Sequence, residues 1–143
     1  MKKYFILITT FCLILTSCNS TPKEMAYGSD SCHFCSMTVV DKQHAAQFMT
    51  NKGRSYVFDA SECMLNHLKE IDPSTVALYL VNDYNAPGKM IDATQATYLI
   101  SKNIPSPMGE YLTAFASDEA ALNAQLANKG ELYTWAELKE RFD

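Results

Sequence analysis

The sequence predicts an α+β protein made of two small ββαβ units in tandem. Three observations predict it. The order strand, strand, helix, strand can be read twice along the chain. Each of the two helices has a start signal and a stop signal of known chemistry. The halves also agree at an offset of 57 residues, which puts Phe58 on Phe115, Glu62 on Glu119, Leu65 on Leu122 and Asn66 on Asn123. Combined with the repeated order, these matches point to two related units.

The chain opens on Lys2 and Lys3, followed by an apolar run from Tyr4 to Leu15. That run is short for a bilayer span and reads as the core of an export signal. Leu15-Thr16-Ser17-Cys18 resembles the bacterial lipobox, a resemblance that implies cleavage before Cys18 and lipidation of its thiol and amine. An ordinary cleaved signal and an uncleaved anchor are the alternatives. On the lipobox reading, residues 1–17 are a signal peptide and Cys12 is lost with them. Residues 18–28 are then a lipid-anchored polar tether containing Pro22. Residues 29–83 form the first unit and residues 84–143 the second. The protein would be lipid-anchored to a bacterial membrane, facing the periplasm or the cell exterior. The formal charge of −4 becomes more negative once Lys2 and Lys3 are lost, which argues against a nucleic-acid partner.

In the first unit, Thr38-Val39-Val40 is a short apolar segment. Residues 45–50 and 55–58 read as strands joined through the turn-forming Asn51-Lys52-Gly53-Arg54. Asp59 is an N-cap candidate with Glu62 three residues on, the pattern of a capping box. A helix from there to about Glu70 puts Met64, Leu65, Leu68 and Ile71 on one face, and Asp72-Pro73 stops it. Residues 76–81 are a strongly apolar strand. Residues 83–88 are a turn-rich link. In the second unit, residues 97–101 and 111–115 read as strands around an irregular segment, 104–109, that holds Pro105, Pro107 and Gly109. Ser117 caps a helix over 118–128, and Gly130 ends it. Residues 132–134 are a last strand, and residues 135–142 a terminal helix.

The chemistry concentrates in Cys32-His33-Phe34-Cys35-Ser36-Met37, three soft sulfur donors within six residues. Such a set invites either binding of a soft cation or thiol–disulfide exchange. Cys63 and Met64 lie at the start of the first predicted helix, where the helix dipole and free amides favour a thiolate. At the aligned positions the second unit carries Ala120 and Ala121. Met108 lies on the proline-stiffened segment. With Cys18 lipidated, Cys32, Cys35 and Cys63 remain, an odd count that argues against a complete disulfide framework.

Thiolate with thioether suits Cu(I). Structural zinc sites normally take four Cys or His in paired spacings, and only one Cys-x-x-Cys occurs here. Covalent haem attachment needs His directly after the second Cys, where this chain has Ser36. A thioredoxin-type motif follows a strand and opens a helix, whereas this one precedes the first strong strand. An inert Cys32–Cys35 disulfide stays open as an alternative. For Met37, Met64 and Met108, ordinary packing is the alternative. His67, four residues after Cys63, can share its helix face, but a lone helical His is more often surface or core. His33 and His44 carry no stronger signal.

Taken together, these residues resemble the NosL family, lipoprotein copper chaperones of nitrous oxide reductase assembly. The matching features are the lipobox, Cys32 to Met37, Phe58-Asp59 with Cys63-Met64, Asp83-Tyr84, and Pro107-Met108-Gly109 followed by Ala114-Phe115. Family members often have Gly where this chain has Ser36. The resemblance implies two ββαβ units, a topology also found in organomercurial lyase. It implies Cu(I) delivery to nitrous oxide reductase or its assembly machinery, for the copper–sulfide centre. It carries the metal role onto Cys32, Cys35, Met37 and Met108, with Cys63 as a further position. No covalent substrate reaction is expected, so the chain would not be an enzyme. The rival readings are an extracytoplasmic thiol–disulfide oxidoreductase using Cys32 and Cys35, and a passive metal-binding lipoprotein.

Overall fold

The computed structural model describes residues 21–143. The expected signal peptide, the lipidation of Cys18 and the first residues of the tether lie outside the described residues. The elements, in order, are β1 (Ala46–Thr50), β2 (Ser55–Phe58), α1 (Ser61–Leu68), a 3-10 turn (Pro73–Thr75), β3 (Val76–Asn82), β4 (Met90–Asp92), β5 (Thr97–Ile100), β6 (Leu112–Phe115), α2 (Asp118–Asn128), β7 (Glu131–Tyr133) and α3 (Trp135–Phe142).

Two antiparallel sheets form, in the orders β2-β1-β3-β4 and β6-β5-β7. Each has the first strand of its unit in the middle, flanked by the second strand and by the strand that follows the helix. The repeat read from the sequence is therefore a structural repeat. Phe58 pairs with the first residue of β1 and Phe115 with the first residue of β5, and both phenylalanines are fully buried. α1 begins at Ser61 and α2 at Asp118, the same offset of 57. The first sheet has one strand more than the reading anticipated. β4 follows the turn-rich link, in a stretch given no element in the sequence, and pairs with β3 through Val81 and Ile91.

The cap of α1 departs from expectation. Ala60, not Asp59, is the N-cap, and no side chain caps it. Asp59 and Glu62 are both buried and turned to other uses. Ser117 caps α2 as expected, and two further side-chain caps appear. Ser117 accepts the Ala120 N–H, Asp72 accepts the Ser74 N–H in the 3-10 turn, and Thr134 with Glu137 forms a capping box on α3. Gly130 sits at φ +107 after α2. A Cβ there would lie 2.3 Å from the Ile100 carbonyl oxygen, so only glycine lets the chain turn into β7.

One apolar core joins the two units. Phe48, Phe58 and Met64 of the first pack in the same cluster as Tyr98, Leu112 and Trp135 of the second. Phe48 stacks on Tyr56 at 4.8 Å and on Phe58 at 5.6 Å, contacts worth about 1 kcal/mol each beyond their area. Trp135 packs on Tyr79 at 5.4 Å across the seam. Polar contacts cross it too. The Tyr84 N–H donates to the Ala114 carbonyl at 2.9 Å. His44, held by Asp41 at 2.8 Å, faces the Thr113 hydroxyl at 3.4 Å. The helix α1 is thereby pressed between its own sheet and β6, with its first turn inside the molecule.

Candidate metal centre

Residues 28–39 form a tight loop laid against the start of α1. The Gly28 N–H donates to Val39 and the Val39 N–H to Asp30, each at 2.8 Å. Inside that rung, the Cys32 N–H donates to Met37 at 2.7 Å and the Ser36 N–H to Cys32 at 3.0 Å. The turn so closed puts Cys32 inward and leaves Phe34 and Met37 outside. Ser36 takes φ +64, the left-handed region that favours glycine. The loop is docked by the His33 N–H, which donates to the Val57 carbonyl at 2.9 Å. Asp30 accepts the Ala26 N–H and the Lys23 ammonium, and the Lys23 hydrogen bond lowers its pKa most.

At the base of this loop the donor atoms of Cys32, Cys35, Asp59 and Cys63 all lie within 4.8 Å of one another. Cys32, Asp59 and Cys63 are buried, and Cys35 is half-buried at the rim. All three cysteines are free thiols, so the local disulfide is not formed. The Cys35 thiol donates to Asp59 Oδ1 at 3.4 Å. Asp59 Oδ2 is buried without a partner. An unpartnered buried carboxylate oxygen is costly in itself, and the group it belongs to could hold a metal ion. The donor set suits a soft to borderline ion.

The thiols are not equivalent. Cys32 is pulled down to about 6, first because the Cys63 thiol donates to its sulfur, then through the amides of Cys35, Asp59 and Phe34, against the effect of burial. Cys63 is pushed far up. Its thiol keeps its proton against the Cys32 sulfur, it is fully buried, and the Asp59 carboxylate beside it raises it further. Cys35 is pushed up chiefly by burial. The expectation that Cys63 would be the thiolate is therefore corrected. The helix start favours an anion, but the neighbouring Cys32 and burial raise the Cys63 thiol.

The NosL family model matches residues 24–142. The chain belongs to the NosL family. No curated protein matches it. Among solved structures it is similar to the crystal structure of the copper chaperone NosL from Shewanella denitrificans, with a TM-score of 0.66 and 21% identity. The match covers 81% of this chain and 96% of that one. The two therefore share a fold.

Within this NosL-family chain, the sequence-derived donors fall in two groups. Cys32, Cys35 and Cys63 are brought together, joined by Asp59. Met37 is half exposed beside Cys35 on the outer side of the loop. Met108 is half-buried and packs, like Cys35, against the core that contains Cys32 and Cys63. Met64 is wholly buried in that core. His33 and His67 meet edge to face at 4.9 Å beside the loop, with His67 stacked on Phe48. His44 belongs to the seam between the units. Asp59 was missed as a site residue. Its signal was the spacing Asp59-x-x-x-Cys63 across a helix start, which the capping pattern masked.

Proposed function

We propose that this chain is a membrane-attached carrier that binds Cu(I) through sulfur and delivers it for maturation of nitrous oxide reductase, at its copper–sulfide centre. The observation that carries the reading is the cluster itself, three free thiols and a carboxylate within 4.8 Å. Family membership and a related copper chaperone of the same fold support it. Cys32 and Cys35 hold the ion, with Met37 and Met108 as thioether donors and Cys63 as a further ligand. Copper is cargo, and the chain performs no covalent reaction on it. Lipid on Cys18 attaches the carrier to the outer side of a bacterial membrane. Among the described residues no helix is long and apolar enough to cross a membrane.

The half-buried rim position of Cys35 supports transfer by ligand exchange, because an acceptor can reach one sulfur while the inner ones still hold the ion. The low pKa of Cys32 would also suit an oxidoreductase, but the activated sulfur is the buried one, and a protein disulfide needs an exposed one. Titration of the reduced protein against a Cu(I)-selective chelator tests the reading. A tight stoichiometric complex that transfers copper to apo nitrous oxide reductase supports it. Reversible Cys32–Cys35 turnover with a dithiol and no such complex would replace it with the oxidoreductase.

A further inference from the structure

Glu62 is fully buried in the first turn of α1, yet it does not cap that helix. Its aligned partner in the second unit, Glu119, is exposed in the first turn of α2, where an acidic side chain meets the positive helix end. Glu62 instead crosses to the second unit. Its Oε1 accepts the Ser106 hydroxyl and the Leu112 N–H, the latter at 3.3 Å. Ser106 in turn accepts the Tyr111 N–H at 2.9 Å. The other oxygen, Oε2, has no partner. A buried carboxylate satisfied on one side only is poor for stability, and an apolar side chain of similar volume would serve the core better. Its value lies in what it holds.

These bonds converge on the loop between β5 and β6. The loop is closed at its base by the Ser101 N–H, which donates to the Tyr111 carbonyl at 3.1 Å. Pro105 and Pro107 fix φ on either side of Ser106, so a bond to that one hydroxyl orients the whole loop. Tyr111 sits at φ +61, a conformation that costs a non-glycine residue about 1 kcal/mol and persists where neighbours enforce it. Met108 is two residues beyond Ser106. At the other end, Glu62 directly precedes Cys63 of the thiol cluster. One peptide bond, one hydrogen bond and two residues thus connect Cys63 to Met108.

We propose that Glu62 is a positioning residue that latches the Met108 loop onto the thiol cluster, so that the thioether is presented to a bound Cu(I). This rests on the Cu(I)-carrier reading above. Supports of this kind orient a ligand before the ion arrives, and losing one commonly costs about ten- to a hundredfold in metal affinity. Glutamine in place of Glu62 offers an amide oxygen for the same two bonds and removes the charge, which separates positioning from electrostatics.

The test is Cu(I) affinity of the reduced protein by chelator competition. The variants are Met108→Ala, Glu62→Ala, Glu62→Gln, Ser106→Ala and the double Glu62→Ala/Met108→Ala, each with its urea unfolding curve. Glu62→Ala is expected to weaken binding about tenfold or more. Ser106→Ala, which removes one hydroxyl from a half-buried loop and folds even where Glu62→Ala does not, should weaken it in the same direction. Glu62→Gln should stay within roughly threefold of the parent, and the double variant should bind no more weakly than its weaker single. The proposal is overturned if the two alanine effects add, if Glu62→Gln loses as much as Glu62→Ala, or if Glu62→Ala and Ser106→Ala bind like the parent while Met108→Ala does not. Parent-like binding by Met108→Ala would remove the ligand the latch is meant to place. A parent that binds no Cu(I) would sink the carrier reading itself, an outcome visible before any variant is compared.

Discussion

The thiol of Cys35 donates to Oδ1 of Asp59 at 3.4 Å, tying the half-buried sulfur of the loop to a carboxylate at the head of the first helix. Burial, the neighbouring Cys32 and the Asp59 charge together hold the Cys35 thiol up. Asp59→Asn keeps the shape and removes the charge, so Cys35 should titrate lower than in the parent. The pH dependence of its alkylation, read by peptide mass mapping, measures this. Cu(I) affinity at neutral pH should change by less than about tenfold, because a carboxylate is a hard donor and Cu(I) prefers sulfur. An unchanged alkylation profile would mean that Asp59 does not set the thiol's proton.

The sulfurs should separate from the core methionines. Cys35→Ser removes a thiolate ligand at the rim of the cluster and is expected to eliminate nearly all Cu(I) binding. Met49 is buried in β1 and is not among the clustered donor residues. Met49→Ala should lower unfolding free energy by about 2–3 kcal/mol and leave affinity in the folded fraction unchanged. Chelator competition alongside urea unfolding checks both. Parent-like binding by Cys35→Ser together with weakened binding by Met49→Ala would mean that the site has been placed wrongly.

Much of this architecture was legible because it is written in local signals. Gly53 at the β1–β2 turn, Asp72-Pro73 after α1 and Ser117 before α2 fix where elements start and stop. The shared offset of Phe58 with Phe115 fixes the repeat. β4 was not legible, since Met90–Asp92 is three residues just beyond a turn-rich link, too short for a period to show, and it pairs with the edge of β3. The repeat also hides a difference. Leu65 is buried in α1 while its aligned Leu122 is half exposed in α2, because only α1 is covered by the other unit. At the site, Asp59 and Glu62 matched a capping pattern so well that their real partners could not be read. Those partners, Cys35 and Ser106, lie 24 and 44 residues away. The upward shift of the Cys63 thiol was hidden for the same reason, since its first cause is Cys32, 31 residues earlier, with burial and Asp59 adding to it.

Ser36 offers a stability test. It holds φ +64 in the turn between Cys35 and Met37, where a side chain is strained and glycine is not. Ser36→Gly should relieve the strain, offset in part by greater freedom of the unfolded chain. The net gain expected is about 0.5–1 kcal/mol, with Cu(I) affinity unchanged. Guanidinium unfolding measures it. A loss of stability would show that the Ser36 hydroxyl contributes more than the backbone strain costs.

Attachment can be tested through Cys18. On the lipobox reading, Cys18→Ala abolishes lipidation and releases or mislocalises the protein. Membrane fractionation with intact-mass measurement reads both. Equal retention of parent and variant, each at its lipid-free mass, would leave an ordinary signal or an uncleaved anchor.

The last prediction concerns alkaline pH and a residue remote from the thiols. Tyr98 is fully buried in the middle strand of the second sheet, and its hydroxyl donates to the Ala93 carbonyl at 2.7 Å. Burial, with a smaller effect from the Asp92 charge, raises its pKa well above the usual tyrosine value. In the unfolded chain the phenol ionises near pH 10. The folded state therefore holds a proton that the unfolded state gives up. The stability this group contributes is fully present below about pH 10 and is lost as pH rises above it, by up to about 1.4 kcal/mol per pH unit. Tyr98→Phe removes the titration and leaves the Ala93 carbonyl without its partner. It should be about 1–2 kcal/mol less stable than the parent at pH 8. Above pH 10 the gap should narrow and then reverse. Urea unfolding of both proteins from pH 8 to 11 reads this directly, because the other tyrosines, the lysines and the thiols titrate alike in the two and cancel in the difference. Parallel stability curves would mean that Tyr98 ionises in the folded protein as readily as in the unfolded chain, and that the buried hydroxyl has a path to water.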